Sequence, residues 1–241
     1  MTKVIEADRS FKVWWHLTRP HTLTASFAPV FLGTTIALTI EGEMINFPLF
    51  LALLVASMLI QAATNMFNEY YDYKLGLDNE HSVGIGGTIV RHGVAPSTIM
   101  AIALSFYGIA LLLGIYICAM SSWWIAVVGL ICMLIGYLYT GGPYPIAYSP
   151  FGELVSGTVM GMGIVLIAFF IQTKTVTLEA VLLSVPSMIL VGAIMLSNNI
   201  RDIVGDTEGG RKTMAILVGR HNAVYILSLF FIVSYLWIVG L

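Results

Sequence analysis

The acidic residues of this sequence form two clusters that share one spacing. Only five aspartates occur in the chain. Four of them stand at the ends of long apolar runs: Asp72, Asp78, Asp202 and Asp206. An asparagine precedes the first aspartate of each pair by four residues, at Asn68 and at Asn198. We call each such asparagine–aspartate pair, Asn68 with Asp72 and Asn198 with Asp202, a frame. Residues four positions apart share one face of a helix, so each frame is expected to present an amide and a carboxylate side by side.

The two clusters are expected to continue differently beyond these frames. Asn198, Asp202 and Asp206 keep the four-residue spacing, which predicts one polar stripe along a single helix. In the first cluster, Gly76 is expected to end the helix, because glycine readily adopts the left-handed conformation that follows a helix. Asp78 can then fold back over the helix end.

Two groups of oxygen ligands around one cavity suit a hard cation. Mg²⁺ binds oxygen atoms at about 2.0–2.1 Å and usually shares its coordination shell with substrate phosphates. Asparagine adds a neutral carbonyl oxygen, which limits the negative charge of the site. Basic residues nearby are candidates to bind the outer oxygens of a diphosphate: Lys74, Arg91, Arg201, Arg211 and Lys212. Together these groups predict a magnesium–diphosphate clamp, whose chemical use is to stabilise diphosphate as a leaving group.

The elements that carry these clusters are membrane helices. Of the 241 residues, 58% are hydrophobic and only 10% are charged, whereas a soluble domain has about 25% charged residues. Such a chain is expected to have lipid as its solvent. The net charge of −2 gives no electrostatic reason to expect nucleic acid as a partner.

Seven runs are long and apolar enough to span a bilayer, which needs about 20 residues. They are 22–40, 48–71, 97–119, 122–140, 151–171, 179–200 and 221–241. The runs are continuous rather than alternating, so an all-α, polytopic helical bundle is predicted. Small residues inside them, such as Gly157, Gly161 and Gly163, are typical of positions where membrane helices pack closely.

The distribution of lysine and arginine predicts the orientation. Ten of the eleven lie in the N-terminal segment, which includes Lys3 and Arg9, and in the loops 72–96 and 201–220. Only Lys174 falls on the other side. Because basic residues are enriched in cytoplasmic segments, the N-terminus and both acidic clusters are expected on the cytoplasmic side of the cell membrane.

A structural role is the simpler interpretation of any one aspartate at a helix end, where it can pair with a nearby arginine or lysine. Two matching frames that hold four of the five aspartates favour a binding site instead. Ionisable residues within or beside membrane helices are by default candidates for function.

Weaker candidates surround these clusters. Tyr137, Tyr139 and Tyr144 flank a Thr-Gly-Gly-Pro turn, and aromatic residues there either anchor the interface or line a cavity and shield a carbocation. Tyr139, nearest to the turn, is the strongest of the three. Arg19 is either a positive anchor or a ligand for an anionic acceptor. Glu153 is expected either to face the cavity or to cap the start of its helix.

Several segments together resemble a known family. Residues 65–78, Asn-Met-Phe-Asn-Glu-Tyr-Tyr-Asp-Tyr-Lys-Leu-Gly-Leu-Asp, and residues 198–206, Asn-Asn-Ile-Arg-Asp-Ile-Val-Gly-Asp, resemble the two Asp-rich motifs of the UbiA-type membrane prenyltransferases. Segments 17–22, 84–93, 139–143 and 209–213 narrow the resemblance to the 1,4-dihydroxy-2-naphthoate polyprenyltransferases of menaquinone biosynthesis. The resemblance covers essentially the whole chain.

The resemblance implies a single prenyltransferase domain, 1–241, of nine helices around a central cavity that opens sideways to lipid. Seven helices are visible and the chain ends inside an apolar run at Leu241. We therefore expect the chain to lack the last two helices of the fold.

The resemblance also implies a reaction. The ring of 1,4-dihydroxy-2-naphthoate attacks the allylic cation of a polyprenyl diphosphate, and CO₂ and diphosphate are lost to give demethylmenaquinol. The implied ligands are Asn68, Asp72 and Asp78 for one Mg²⁺, and Asn198, Asp202 and Asp206 for a second. With Asp72 and Asp202, Tyr139 completes the set of predicted catalytic residues.

Two alternatives remain open. The first keeps the fold and the prenyl donor but has another acceptor, such as 4-hydroxybenzoate, haem or a glycerol phosphate lipid. The second is a cation transporter that uses intramembrane carboxylates. Ion sites of transporters tend to lie near the bilayer midplane at broken helices, whereas these clusters stand at helix ends beside long basic loops.

Overall fold

The protein is a bundle of α-helices, and no strand occurs among the residues that the structure describes. In the computed structural model these are residues 11–42, 44–78 and 87–241. The helices are, in chain order, α1 Phe11–Leu17, α2 Thr24–Ile40, α3 Phe47–Lys74, α4 Thr88–His92, α5 Pro96–Met120, α6 Trp124–Leu138, α7 Gly152–Thr173, α8 Leu178–Arg201, α9 Ile203–Glu208 and α10 Met214–Gly240. Two 3₁₀ turns, Pro20–Leu23 and Ile146–Tyr148, precede α2 and α7.

The long helices confirm the predicted membrane class. Six are long and apolar enough to cross a bilayer, namely α2 with the turn before it, α3, α5, α7, α8 and α10. The helix α6 is apolar and has 15 residues. Each of the seven predicted runs thus corresponds to a helix, although α6 is shorter than its run of 122–140, and the chain is a multi-pass membrane protein. Lys3 and Arg9, used for the orientation, lie outside the described residues, as do positions 84–86.

The last helix differs from its prediction. The helix α10 begins at Met214, whereas the apolar run was predicted to begin at residue 221. The prediction placed residues 214–220 in the preceding loop, but the five residues from Met214 are apolar and already helical. Gly219, with φ of 78° and ψ of 154°, interrupts the helical geometry between these two parts. The loop predicted over 201–220 also contains α9.

The second acidic cluster is likewise not on one continuous helix. The helix α8 ends at Arg201, Asp202 has φ of −93° and ψ of 9°, and α9 begins at the next residue. Backbone hydrogen bonds still join Asp202 N to Asn198 O at 3.0 Å and Asp206 N to Asp202 O at 2.9 Å. The predicted spacing is kept, but the single straight stripe is wrong, because the chain bends at Asp202.

Close packing of α7 against α8 depends on two glycines. A Cβ atom on Gly157 would lie 2.5 Å from the carbonyl oxygen of Met188, and one on Gly161 would lie 2.6 Å from its Cα. These backbones touch, as predicted for small residues in membrane helices. The same prediction is wrong for Gly163, where the nearest atom to a Cβ is 3.3 Å away within its own helix.

A hydrophobic core lies beside the first acidic cluster. Val13 of α1 and Ile89 of α4 pack with Met66 and Phe67 of α3, together with residues of α5. The last two turns of α3 are therefore held on several sides, which fixes the direction of the side chains that follow. We call the end of the bundle where α3 and α8 terminate the motif end.

Candidate active site

A cavity of about 420 Å³ runs through the bundle from the motif end. Its lining includes Asn68 near the end of α3 and Leu53 fifteen residues earlier, a distance of about 22 Å along a helix. The side chains around Leu53 are apolar and come from α3, α5, α6 and α7. The cavity is therefore polar at the motif end and apolar along most of its depth.

The first cluster folds back on itself at the end of α3. Gly76 has φ of +75°, and the amide nitrogens of Leu77 and Asp78 approach the carbonyl oxygen of Asp72 at 2.9 and 3.3 Å. The predicted helix end at Gly76 and the return of Asp78 are both confirmed. One carboxylate oxygen of Asp78, Oδ2, is buried without a hydrogen-bond partner among the described residues. Burial raises the pKa of Asp78 to about 6, and the carboxylates of Glu69 and Asp72 act in the same direction.

One guanidinium joins the two clusters. Arg211 donates from Nη2 to Asp72 Oδ1 at 2.5 Å and from Nη1 to Asp206 Oδ1 at 2.8 Å. Its side chain is 13% exposed, and Nε is buried with no partner among the described residues. Burial raises the pKa of Asp206, while the charge of Arg211 opposes that shift. Two carboxylates that are 134 positions apart in sequence thus share one cation.

The remaining aspartate is paired more openly. Asp202 accepts two hydrogen bonds from the neighbouring Arg201, from Nε at 2.8 Å and from Nη2 at 2.7 Å. Its side chain is 30% exposed and lines the cavity. Asp206 is buried and paired with Arg211, so the two carboxylates of this cluster differ in burial and in partner.

The donor atoms fit a magnesium ion chemically. Carboxylate and amide oxygens are the ligands that Mg²⁺ takes from proteins, and all six predicted ligands stand at the motif end. The buried oxygen of Asp78 that has no partner among the described residues is available as a ligand, and burial raises the pKa values of Asp78 and Asp206. A divalent cation bound there would stabilise the ionised form of these carboxylates.

Most of the predicted site residues line the cavity, and the others lie beside it at the motif end. Those lining the cavity are Arg19, Asn68, Tyr139, Asn198, Arg201, Asp202, Asp206 and Arg211. Asp72 is paired with Arg211, which lines the cavity, and the amide nitrogen of Asp78 is hydrogen-bonded to the carbonyl oxygen of Asp72. Lys74, Arg91 and Lys212 are exposed residues at the motif end and lie outside the cavity lining.

Comparison with known sequences decides the family. The profile described as the UbiA prenyltransferase family matches residues 26–241 of the chain. The chain belongs to the UbiA prenyltransferase family. The resemblance that the two Asp-rich segments indicated is thereby confirmed for almost the whole chain.

Curated relatives within the UbiA family are similar over most of the chain. The 1,4-dihydroxy-2-naphthoate octaprenyltransferase of Bacillus subtilis (strain 168) is 61% identical over 230 residues, which are 95% of this chain and 73% of that protein. The enzyme of the same name from Mycobacterium tuberculosis is 30% identical, over 87% of this chain and 71% of that protein.

A solved structure of a UbiA homolog supports the same fold. The homolog from Archaeoglobus fulgidus bound to GPP and Mg²⁺ aligns with a TM-score of 0.70 at 15% sequence identity. The alignment covers 93% of this chain and 76% of that one. The helical bundle described above is therefore the UbiA fold.

Glu69 is a buried carboxylate of this UbiA chain that the sequence interpretation did not single out. It is 2% exposed and accepts hydrogen bonds from the amides of Gly87 at 3.0 Å and Ile89 at 3.2 Å. Arg19 lies 3.6 Å from its Oε2 atom. Glu69 thus connects α3 to the start of α4, which carries Arg91, and to the turn before α2. The available signal was an acidic residue beside Asn68 within the first Asp-rich segment.

The turn that carries Arg19 is also tied to α3 by Asn65. The Nδ2 atom of Asn65 donates to Thr18 O at 3.0 Å and to Thr22 Oγ1 at 2.9 Å. Arg19 itself has φ of 48° and ψ of 65°, a left-handed conformation that is uncommon for residues other than glycine. Such strain persists only where the surroundings enforce it, and here Asn65 and Glu69 do so.

Replacement of Glu69 by alanine is expected to lower the activity of the protein by about 10–100-fold, as is typical for residues that orient ligand-binding groups. The change leaves two amides and Arg19 without their acceptor. Glu69→Gln keeps an acceptor oxygen, so its activity is expected to lie between that of Glu69→Ala and that of the unaltered protein. The measurement is the initial rate of prenyl transfer at several concentrations of prenyl diphosphate. A Glu69→Ala variant with normal activity would show that these contacts do not position the site.

The aromatic candidates have different roles. Tyr139 lines the cavity, whereas Tyr144 is 91% exposed. The hydroxyl of Tyr137 lies 2.7 Å from that of Tyr71, and its ring packs against Phe67 in the core beside α3. The sequence interpretation missed Tyr148, whose ring centroid is 5.3 Å from the guanidinium carbon of Arg211. This distance is within the range of a cation–π contact, so Tyr148 helps to hold the bridging arginine.

Proposed function

We propose that this protein transfers a polyprenyl group from polyprenyl diphosphate to 1,4-dihydroxy-2-naphthoate, with loss of CO₂ and diphosphate. The product is demethylmenaquinol, an intermediate of menaquinone biosynthesis. The observation that carries the proposal is the Asp72–Arg211–Asp206 bridge, which brings both Asp-rich segments to the polar end of one apolar cavity. The relatives named above, which carry this activity in their names, support the choice of acceptor.

The metal in this proposal is Mg²⁺, and two ions would help to neutralise the diphosphate leaving group when bound. One would be held by Asn68, Asp72 and Asp78, and the other by Asn198, Asp202 and Asp206. Support comes from their oxygen-only donor set, from the buried unpartnered oxygen of Asp78, and from the Mg²⁺ present in the structure of the archaeal homolog.

Basic residues are proposed to bind the diphosphate oxygens. Arg201 and Arg211 line the cavity at the motif end, where a diphosphate would stand. A guanidinium makes paired hydrogen bonds to phosphate oxygens as well as to carboxylates, so both can turn from aspartate to diphosphate. Lys74, Arg91 and Lys212 are proposed as outer contacts, since they stand at the same end outside the cavity lining.

The apolar part of the cavity is proposed to hold the prenyl tail. The chain's own side chains exclude water there, which protects a reactive allylic cation from hydrolysis. Tyr139 also lines the cavity, and its ring can stabilise a positive charge on the substrate. The position of the carboxylates at the ends of α3 and α8 argues against the transporter alternative, in which the ion site lies at the midplane.

The motif end is proposed to face the cytoplasm. Of the nine described lysines and arginines, seven belong to segments at this end, namely Lys12, Arg19, Lys74, Arg91, Arg201, Arg211 and Lys212, and Arg220 lies in the second turn of α10, which begins just after Lys212. Lys174 is at the opposite end, where its Nζ donates to the carbonyl oxygen of Met120, the last residue of α5, at 3.0 Å. This asymmetry follows the positive-inside rule.

The proposed acceptor is tested by offering purified protein a labelled prenyl diphosphate, Mg²⁺ and one aromatic acid at a time. Prenylation of 1,4-dihydroxy-2-naphthoate is expected, with release of one CO₂ per product. Removal of Mg²⁺ with a chelator is expected to stop the reaction, and its restoration to recover it. Prenylation of 4-hydroxybenzoate but not of the naphthoate would overturn the assigned acceptor, and no metal dependence would overturn the assigned cofactor.

A further inference from the structure

One buried carboxylate beside the cavity takes no part in the proposed metal site. Glu153 lies in the first turn of α7 and is 2% exposed. Its Oε1 atom accepts a hydrogen bond of 2.8 Å from Nδ2 of Asn199, whereas Oε2 is buried without a partner among the described residues. None of the ion pairs in the described part of the chain includes Glu153. Its ordered side-chain contact is therefore with Asn199.

The start of α7 is held firmly against α8. A Cβ atom on Gly192 of α8 would lie 3.1 Å from the carbonyl oxygen of Glu153, and one on Gly152 would lie 2.7 Å from the hydroxyl of Tyr139. Ser156 also donates to the carbonyl oxygen of Glu153 at 3.2 Å. Since the backbone on both sides is close-packed, the carboxylate of Glu153 stands at a fixed distance from α8.

The contact with Glu153 determines how the amide of Asn199 is turned. A carboxylate only accepts hydrogen bonds, so the donating Nδ2 atom faces Glu153 and the carbonyl oxygen Oδ1 faces away. Asn199 lines the cavity together with Tyr139 and Ser156. Neighbouring helical positions are about 100° apart around the axis, so Asn199 presents its oxygen to a different part of the cavity from Asn198.

We propose that Asn199 binds the aromatic acceptor, by accepting a hydrogen bond at Oδ1 from a ring hydroxyl, and that Glu153 is the positioning residue that holds this amide. The inference rests on the proposed function, which requires a hydroxylated aromatic acceptor. The ring of that acceptor would lie beside Tyr139, whose flat apolar face suits stacking. The carboxylates of Asp72, Asp202 and Asp206 are already paired with arginines, so the amide oxygen of Asn199 is the proposed acceptor for the hydroxyl.

The test measures KM for 1,4-dihydroxy-2-naphthoate and for the prenyl diphosphate separately, with the purified full chain and Mg²⁺. Asn199→Leu is expected to raise KM for the naphthoate by about 10–100-fold, because a bound hydroxyl loses its acceptor. KM for the prenyl diphosphate and the Mg²⁺ concentration at half-maximal rate are expected to stay within about twofold. Ser197→Leu is the matched control, since Ser197 is an exposed polar residue of the same helix.

The role of Glu153 is tested through the same two constants. Glu153→Leu releases the amide and is expected to raise KM for the naphthoate as Asn199→Leu does. The double variant is expected to be no worse than Asn199→Leu alone, because the two residues act as one unit. Glu153→Gln keeps an oxygen that accepts from Nδ2 of Asn199, so this variant is expected to retain a KM for the naphthoate close to that of the unaltered protein. If Glu153→Leu does not fold, Glu153→Gln and Asn199→Leu carry the comparison.

An unchanged KM for the naphthoate in Asn199→Leu would overturn the inference and leave the proposed function intact. Equal increases in KM for both substrates would also overturn it, because they indicate a distorted site rather than a lost acceptor contact. Failure of the unaltered chain to prenylate any hydroxylated aromatic would overturn the proposed function and this inference together.

Discussion

Alanine at Asp72 or at Asp202 is expected to reduce Mg²⁺-dependent prenyl transfer by on the order of 10³-fold, the upper range for loss of one group that stabilises a developing negative charge. Each change removes a carboxylate from a different cluster, so equal severity is expected only if both clusters serve one site. Asp202→Ala is the cleaner variant. Its carboxylate is 30% exposed and paired with the neighbouring Arg201, so its loss should alter stability by less than about 1 kcal/mol.

The measurement is the initial rate of product formation by purified variants that have first been shown to insert in the membrane at normal levels. Glu208→Ala is the matched control, because Glu208 is an exposed acidic residue of α9 close in sequence to the second cluster. The control is expected to retain full activity. Full activity in either aspartate variant would instead remove that cluster from the metal site.

The bridging arginine gives the second large expected effect. Arg211→Ala leaves the carboxylates of Asp72 and Asp206 close together without their shared cation. Breaking a buried charge pair costs about 3–5 kcal/mol, which corresponds to a fall in Tm on the order of 10 °C for a chain of this size. Activity is also expected to fall, since the same guanidinium is proposed to bind diphosphate.

The same variant is expected to bind Mg²⁺ more tightly when no substrate is present. Arg211 places a positive charge between two of the proposed ligands, and its removal ends that competition. An increase of about tenfold in affinity corresponds to roughly 1.4 kcal/mol, a modest share of such a repulsion. Arg211→Lys keeps the charge but not the planar guanidinium, so its affinity for Mg²⁺ should lie between those of Arg211→Ala and the unaltered protein.

Thermal unfolding of the detergent-solubilised protein across a series of Mg²⁺ concentrations measures both effects. In Arg211→Ala, the Tm is expected to start lower and to rise more steeply with Mg²⁺ than in the unaltered protein. If the Tm and its response to Mg²⁺ were the same in both proteins, the bridge would have no energetic role.

Much of this architecture follows from the sequence, because lipid imposes a simple rule. Every backbone polar group must be satisfied inside a spanning segment, so long apolar runs become helices and their number can be read directly. The end of α3 was predictable from a local rule, since Gly76 supplies the positive φ that commonly follows a helix. The pairing of the two Asp-rich segments was predictable from their common spacing and from the equal direction of their helices.

What escaped prediction depends on contacts between distant residues. The bend at Asp202 and the early start of α10 are local choices between helix and loop that tertiary packing decides. Arg211 was expected to face diphosphate, and only the structure places it between Asp72 and Asp206. Glu69 and the Glu153–Asn199 pair were missed as functional partners because their acceptors and donors come from other helices.

The most direct test of the central claim, that the two clusters are halves of one metal–diphosphate site, is a count of bound cations. Mn²⁺ replaces Mg²⁺ in oxygen-ligand sites and can be counted by electron paramagnetic resonance of the free ion. With a saturating, unreactive prenyl thiolodiphosphate, the purified protein is expected to bind two Mn²⁺ per chain. Asp72→Ala and Asp202→Ala should each bind fewer, and both should lose affinity for the analogue. Binding of the analogue without Mn²⁺, or an unchanged count in both variants, would contradict it.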